Sequence, residues 1–487
     1  MPGANDMKSP ILGSSYVTRS PNAADSRMVN LYPEVVPDGG QEPAFLTRAP
    51  GMRYLCTIGT GPIRALWAHN SKGVFYAVSG QEVYRLSAVD AAPELIGTMT
   101  DTGGAPISVT DNGTQVFFSC NPKAYIWDAV AETFSEVSDT DFPGSGAVAF
   151  IDGYFLVNEP GTQKIYSSDI YDGTSWNALA FASAESSPDG VQTIMGMHRE
   201  LWVFGAGSLE IWRNAATSPF PFEPIQGVAI EVGCSAPHSV VKLDNTIFWL
   251  GSNDRGRGVV YRADGYSPLR VSTHAVEWQI QQYADISDAV AYAYQQEGHA
   301  FYVLNFPSAC TTWVYDVATG AWHERASFRD GLFKRHRSNS HCSFNGATVV
   351  GDYNNGNLYL MDVDLFADPI GTQKWLRSWR ALPTGGNNLN RTTHHSLQLN
   401  CEAGTLPEGD AGATPKVRLR WSDDGGHTWS NHHCISTGGL GDYGHRVYWR
   451  RLGMTTKLRD RVYEVSGTDP VRITIMGAEL IVTPTRA

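Results

Sequence analysis

The sequence predicts an all-β protein in which a β-propeller of six or seven blades precedes a C-terminal antiparallel β-sandwich. A recurring phrase indicates the propeller: an apolar strand, an aromatic-rich strand such as Val74–Val78, then a strand ending in Tyr or Trp before a polar residue. The copies are spaced by about 41 to 53 residues, which is typical of blades. Charged residues make up only 18% of the chain and it has 49 glycines, which favours short strands and tight turns. The copies begin near residues 62, 105, 146, 191, 237, 288 and 341.

Three segments follow one another along the chain. Residues 1–60 are irregular and rich in Pro, Gly and Asn, which predicts an extended N-terminal arm. Residues 61–385 carry the repeats and should form the propeller, with a linker or loop over 382–390. Residues 390–487 alternate apolar and polar side chains, the period of half-buried antiparallel strands. Helical patterns are nearly absent, and the best candidate covers residues 276–288.

The net charge and the cysteine content argue against some classes of function and indicate the compartment of the protein. The chain has 37 basic and 49 acidic residues, a formal net charge of −12, which opposes binding of nucleic acid through bulk phosphate attraction. Its seven cysteines are odd in number and include no C-x-x-C pair, which indicates free thiols in a reducing compartment. No signal peptide is evident, and no apolar run approaches the ~18 residues that cross a bilayer. We therefore expect a soluble protein made in the cytoplasm.

One Asp-box, the S-x-D-x-G-x-T-W pattern of sialidases and related propellers, lies in the C-terminal segment. In this pattern the aspartate accepts hydrogen bonds from the turn, a glycine takes positive φ and the tryptophan packs beneath the hairpin. The pattern predicts a structural turn, because a sialidase should carry several boxes and an arginine cluster. A sialidase-like or carbohydrate-binding propeller is the alternative function. The Asp-box residues are Ser422, Asp424, Gly426, Thr428 and Trp429.

Two further groups of polar residues suggest catalysis or metal binding. Glu185 and Asp189 could form a carboxylate pair for glycoside hydrolysis, but Pro188–Gly190 has the composition of a turn. The pairs His394–His395 and His432–His433 could ligate a metal, but adjacent residues of a strand point to opposite faces. We therefore predict a turn at the first site and no metal at the second, and assign no catalytic residue and no cofactor.

Two basic clusters are candidates for contact with a partner. The run 334–337 is the only compact basic run, and it is either a solvated loop or a contact for an acidic subunit or for DNA phosphate. In the second cluster, alternation along a strand places two arginines on the same face as Tyr448, which suits an interface edge. The candidate interface residues are Lys334, Arg335, Arg337, Arg446 and Arg450.

Three stretches together resemble one known family. Their order and spacing are similar to those of the tail hub or nozzle proteins of short-tailed bacteriophages, also called packaged-DNA-stabilisation or head-completion proteins. The similarity extends from about residue 26 to 480. The stretches are Val29–Pro33 with Arg48–Gly51, Ala184–Gly190 with Leu201–Gly205 and Glu210–Trp212, and Tyr443–Gly453.

The resemblance implies a virion protein of the phage tail that is not an enzyme and is made in the host cytoplasm. Six copies would form a ring below the portal and adaptor, continue the DNA channel and close the filled head. The ring would also attach tail fibres or spikes and the needle, while double-stranded DNA passes through it. No membrane insertion is implied. A generic propeller scaffold for protein partners is a third class of function.

Overall fold

The structure is a computed structural model that describes residues 5–17, 25–36, 42–100, 104–185, 187–253, 256–382, 391–404, 414–455 and 461–485. In these ranges the helical structure comprises one α-helix, His274–Gln281, and two short 3₁₀ helices, Asn70–Lys72 and Pro237–Ser239. The Thr273 side chain caps the start of the α-helix by accepting the Val276 backbone N–H. The helix His274–Gln281 overlaps the first half of the predicted span 276–288 and ends before the second half. No helix among the described residues is long and apolar enough to cross a membrane.

Seven antiparallel groups of short strands form the blades of the propeller, one of the two numbers that the sequence allows; the sixth blade is one end of a nine-stranded sheet. The fifth blade differs in having two short inner strands, which both pair with Thr246–Asn253. From the first blade to the seventh, the strands are Ile63–His69, Val74–Ser79, Glu82–Leu86 and Glu94–Thr98; Ser108–Asp111, Gln115–Ser119, Ala124–Asp128 and Thr133–Glu136; Val148–Ile151, Tyr154–Asn158, Lys164–Asp169 and Asp172–Ser183; Val191–Met197, Glu200–Gly205, Leu209–Asn214 and Phe222–Ile230; Gly233–Cys234, Val241–Leu243, Thr246–Asn253, Gly256–Asp264 and Ser267–Arg270; Val290–Gln296, His299–Phe306, Thr311–Asp316 and Ala321–Glu324; and Ser338–Phe344, Ala347–Asp352, Asn357–Asp362 and Gly51–Thr57.

The cores of the propeller lie between neighbouring blades. Side chains two apart on a strand share a face, so Trp202 and Phe204 of the fourth blade both pack towards the fifth. The Phe204 ring lies 5.6 Å from Trp249 in an edge-to-face arrangement. Burying one such aromatic side chain contributes about 1.5–3 kcal/mol, which explains why aromatic residues recur in each sequence copy.

The ring closes between the seventh blade and the first. The inner strand Ser338–Phe344 contacts Ile63–His69 of the first blade. The outer strand of the seventh blade, Gly51–Thr57, comes from the N-terminal side of the propeller and pairs antiparallel with Asn357–Asp362. Residues 51–57 were assigned to the N-terminal arm from sequence, but the structure places them in a blade. A strand whose partner lies some 300 residues away leaves no signal in the local pattern.

The C-terminal domain consists of two sheets that share one core. Leu397 and Leu480 from one sheet and Trp379 and Tyr463 from the other belong to the same buried cluster. The first sheet contains Val447–Met454, Thr392–Cys401, Thr474–Pro484, Ala44–Arg48 and Leu31–Val35, with Asn5–Ser9 paired to Thr474–Pro484. The second contains Trp375–Arg380, Val462–Gly467, Lys416–Ser422 and His433–Ser436.

The N-terminal segment connects the two domains. The short strand Met28–Val29 pairs with Trp375–Arg380 of the second sandwich sheet and, in parallel, with Glu324 of the sixth blade. Parts of residues 1–60, which the sequence analysis treated as irregular, are therefore paired strands in the described ranges. Two hairpins complete the strands: Tyr16–Val17 with Asp25–Ser26, and Ala326–Arg329 with Leu332–Arg335. Of the predicted linker 382–390, residues 383–390 lie outside the described residues.

Candidate interaction surfaces and the domain junction

Buried arginines hold the irregular stretches of the junction, and the sequence analysis did not identify them. Arg377 is fully buried and donates from Nε to the Ile11 carbonyl at 2.6 Å and from Nη1 to the Ser26 carbonyl at 3.2 Å. Arg48 is also buried and donates from Nη1 to the carbonyls of Asp469 and Val471, both at 2.7 Å. A guanidinium has five N–H donors, so one side chain can satisfy several carbonyls that no strand pairs.

A second set of polar contacts ties the N-terminal segment to the sixth blade. Arg27 makes a bidentate ion pair with Glu324, at 2.9 Å from Nε and 2.8 Å from Nη2. The Asn30 amide donates to the carbonyls of Ala326 and Lys374, both at 2.8 Å, and accepts the Ala326 N–H at 3.0 Å. Asn30 adopts a φ of 53°, a conformation that asparagine tolerates better than most residues. The motif at 29–33 therefore has a structural role, because it attaches the N-terminal segment to the parts of the chain around Ala326 and Lys374.

The basic run 334–337 is mostly internal. Arg335 and Arg337 are 4% and 2% exposed. Arg337 pairs with Asp352 at 3.0 Å, and the Arg335 guanidinium lies 3.7 Å from the centre of the Tyr353 ring. Lys334 is partly exposed and lies 3.8 Å from Asp330. The expectation that the whole run faces a partner or solvent is corrected for Arg335 and Arg337, because their partners lie within this chain; Lys334 remains a candidate.

The second basic cluster forms an exposed strip on the sandwich. Arg446 and Arg450 are exposed and share a face with Tyr448, as alternation predicts; their guanidinium carbons lie 5.5 and 5.1 Å from the centre of that ring. Arg446 also donates to Gln398 of the neighbouring strand at 3.0 Å. Within the described residues, no carboxylate forms an ion pair with Arg446, Arg450 or the neighbouring Arg451. We call Arg446, Tyr448, Arg450 and Arg451 the arginine strip.

The strip lies on an edge strand. Val447–Met454 pairs with Thr392–Cys401 on one side and ends the described part of its sheet. A bulge interrupts the pairing near Arg451, which has a φ of 58°. Bulges and charged residues on edge strands hinder strand-to-strand association, so the strip presents side chains for contact more readily than backbone.

The Asp-box residues form a hydrogen-bonded turn. Asp424 accepts the Thr428 backbone N–H at 2.9 Å and hydroxyl groups of Ser422 and Thr428, both at 2.6 Å. These hydrogen bonds lower the pKa of Asp424 below its usual range. Gly426 has a φ of 94°, and the Trp429 indole donates to its carbonyl at 3.0 Å. The three hydrogen bonds that Asp424 accepts therefore all come from residues of the turn.

The members of the carboxylate pair and of the first histidine pair lie in different environments. Asp189 accepts the backbone N–H groups of Gly207 at 2.6 Å and Ser208 at 3.1 Å, while Glu185 is exposed. His394 is buried against the Tyr463 hydroxyl at 2.9 Å, whereas His395 is exposed on the opposite face. Among the described residues, no group of three or more His, Cys, Asp or Glu side chains is arranged to hold a metal ion.

The comparisons with known proteins cover both domains. Residues 7–365 match the family Phage_stabilise, described as "Bacteriophage P22 Gp10, beta-propeller", and residues 374–483 match the family described as "Bacteriophage P22 Gp10, beta-sandwich". No curated protein matches the sequence. A solved structure, "Crystal Structure of the N-terminal Domain of Nup159", is 11% identical and is matched over 69% of this chain and 98% of that chain, with a TM-score of 0.39 that is too low to support an argument. The chain therefore belongs, through both its propeller and its sandwich, to the bacteriophage P22 Gp10 family of podovirus tail hub or nozzle proteins.

Proposed function

We propose that this protein is the subunit of a homohexameric ring, the hub or nozzle of a phage tail. The ring continues the DNA channel of the portal and adaptor, retains the packaged DNA and provides attachment for tail fibres or spikes and for the needle. The protein is made in the host cytoplasm and functions in the virion. The observation that carries the proposal is the match of both domains, in order, to the P22 Gp10 family.

The structure supports an assembly role in two ways. The side chains that suggested catalysis, Asp424 and Asp189, are occupied by hydrogen bonds within their own turns. The arginine strip instead offers exposed cations beside an aromatic ring, and Arg and Tyr are enriched in protein interfaces. On a chain of net charge −12, these cations suit an acidic protein neighbour. We therefore assign Arg446 and Arg450, with Lys334, to contacts with neighbouring virion subunits.

The test is the symmetry of the assembled ring. Mass photometry of the purified protein with its portal and adaptor proteins should show bound species in steps consistent with six copies of 53.2 kDa, about 319 kDa. Cryo-electron microscopy of the same complex should show a sixfold ring below the adaptor. A monomer in the absence of the other virion proteins agrees with the proposal, because partners can order assembly. A threefold or twelvefold ring contradicts it.

A pair of variants tests the assigned surface. Arg446→Gln with Arg450→Gln should reduce incorporation of the protein into the complex while leaving the melting temperature within the range expected for exposed sites. Arg53→Gln is the matched control, because Arg53 is also exposed but lies on the outer strand of the seventh blade. Equal incorporation of the double variant and the wild type would remove the arginine strip from the interface.

A further inference from the structure

A buried guanidinium between the sixth and seventh blades has no acidic partner. Arg325 is 1% exposed, and its central carbon lies 4.9 Å from the Phe301 ring centre and 5.3 Å from that of Tyr294. Its Nη1 faces the Met361 sulfur at 3.9 Å, a weak acceptor. Nε and Nη2 are buried and make no hydrogen bond within the described structure. Cation–π contacts offset part of the cost of burying this charge, but they do not replace hydrogen bonds to the N–H groups.

The buried carboxylates of the two blades are already occupied. Asp316 accepts from His299 Nδ1 at 2.9 Å and from the Thr319 hydroxyl at 2.7 Å. Asp352 pairs with Arg337 at 3.0 Å and accepts the Tyr359 hydroxyl at 2.7 Å. Neither forms an ion pair with Arg325. The site therefore has a positive charge whose balancing group is not among the described residues.

The groups around Arg325 carry no negative charge. The Tyr294 hydroxyl is buried beside the Arg325 guanidinium, and both ring nitrogens of His323 are buried and make no hydrogen bond within the described structure. Tyr294 lies 5.1 Å and His323 6.0 Å from Phe301, the ring that Arg325 also contacts. A water molecule accepts hydrogen bonds from the Nε and Nη2 groups but carries no charge, whereas an anion accepts the same hydrogen bonds and also balances the charge of the guanidinium. The uncompensated buried charge therefore favours an anion over water.

We propose that Arg325 and Tyr294 bind a small monovalent anion, for which chloride is the natural probe, and that this anion locks the sixth blade to the seventh. One unpaired guanidinium balances one negative charge, and burying a weakly hydrated monovalent ion costs less than burying a more strongly hydrated ion such as phosphate. The proposal does not depend on the role of the protein in a phage tail.

The first experiment measures thermal unfolding while chloride replaces gluconate at constant ionic strength. The wild type should melt at a temperature that rises with the logarithm of the chloride concentration, because a ligand of the folded state stabilises it by mass action. Arg325→Met should abolish this dependence. Arg337→Met is the matched control: it removes an equally buried guanidinium that has its own carboxylate, so it should lower the melting temperature and keep the chloride dependence. Equal chloride dependence in Arg325→Met and the wild type overturns the proposal.

The second experiment does not rely on a variant that folds. Crystals of the wild-type protein grown in bromide should give an anomalous peak within hydrogen-bonding distance of Arg325 Nε or Nη2. A peak there supports the proposal independently of how the variants fold. Crystals that show only water, or a carboxylate, against these atoms overturn it.

Discussion

At the scale of single residues, this protein uses long polar side chains to stabilise backbone that no strand pairs. Arg377 bonds to carbonyls of the N-terminal segment, and Arg461 combines a bidentate pair with Asp423 with a hydrogen bond to the Leu452 carbonyl at 2.6 Å. Removing one of these arginine side chains would leave several buried carbonyl oxygens without hydrogen bonds, so the arginines favour one arrangement of the backbone over others. The same reasoning applies to the Asp-box, in which Asp424 stabilises a turn through three hydrogen bonds.

The first prediction concerns that turn. Asp424→Ala should lower the melting temperature of the sandwich by a few degrees, because the Thr428 N–H and two hydroxyl groups lose their acceptor. Calorimetry beside a panel of glycosidase substrates measures both properties. Asp330→Ala, which removes an exposed carboxylate, should leave the melting temperature unchanged. A well-folded Asp424→Ala protein that has lost a hydrolase activity present in the wild type would restore the sialidase-like interpretation.

The second prediction concerns acid sensitivity. Burial, together with Arg461, lowers the pKa of His394 to about 3, and burial lowers that of His341 to about 4. The unfolded chain, with histidine pKa values near 6.5, therefore binds protons that the folded chain does not, and stability falls as the pH drops from about 6.5 towards 4. Each such histidine contributes a slope of about 1.4 kcal/mol per pH unit.

His394→Gln should reduce that slope by roughly the contribution of one histidine. Urea unfolding of the variant and the wild type at pH 6.5, 5.5 and 4.5 measures it. His395→Gln is the control, because His395 is exposed on the same strand. Identical slopes for His394→Gln and the wild type would mean that His394 is protonated in the folded protein.

At the scale of elements, one strand determines whether the propeller is a closed ring. Gly51–Thr57 provides the outer edge of the seventh blade, so the two ends of the propeller sequence are held in one sheet. Met52 of this strand is buried in a cluster with Tyr359 and Val303, which belong to the seventh and sixth blades. The closing strand is therefore fixed both by backbone pairing and by side-chain packing.

The third prediction follows from that packing. Met52→Ala should lower the free energy of unfolding by about 2–5 kcal/mol, the usual cost of truncating a buried methionine. Hydrogen exchange should become faster in Asn357–Asp362, the strand paired with Gly51–Thr57. Arg53→Ala, one residue further on and exposed, should change stability by no more than ~0.5 kcal/mol. If protection from hydrogen exchange were lost evenly over all seven blades, Gly51–Thr57 would not stabilise the seventh blade independently of the rest of the propeller.

At the scale of the whole molecule, the charge of the residues that line the channel decides whether the channel lets DNA slide or binds it. Six copies at −12 each give a formal charge of −72, and a channel lined with Lys and Arg would retard ejection through its phosphate contacts. We therefore propose that the lumen of the hexamer is acidic or neutral. Burial of Arg335 and Arg337 inside the subunit removes two cations from any surface of this chain.

The fourth prediction tests this in solution. The isolated protein should not bind double-stranded DNA tightly in a gel-shift titration at low salt. The variant Arg446→Gln, Arg450→Gln and Arg451→Gln should behave like the wild type in this assay, because we assign the arginine strip to a protein neighbour. Tight, salt-sensitive binding by the wild type that disappears in the variant would make the strip a DNA contact and contradict the passive channel.

Local pattern predicted much of this protein. The alternation and turn chemistry of the sequence predicted a propeller of six or seven blades, the Asp-box turn around Asp424 and the shared face of Arg446, Tyr448 and Arg450, because each depends on residues close together in the chain. The tertiary structure alone decided that Gly51–Thr57 closes the seventh blade and that the N-terminal segment enters both domains. It also decided that Arg335, Arg337 and Arg325 are buried. The sequence around a basic residue does not show whether its side chain is exposed to solvent or buried. Burial depends on contacts between blades and strands that are far apart in the chain, and such contacts leave no pattern in the local sequence.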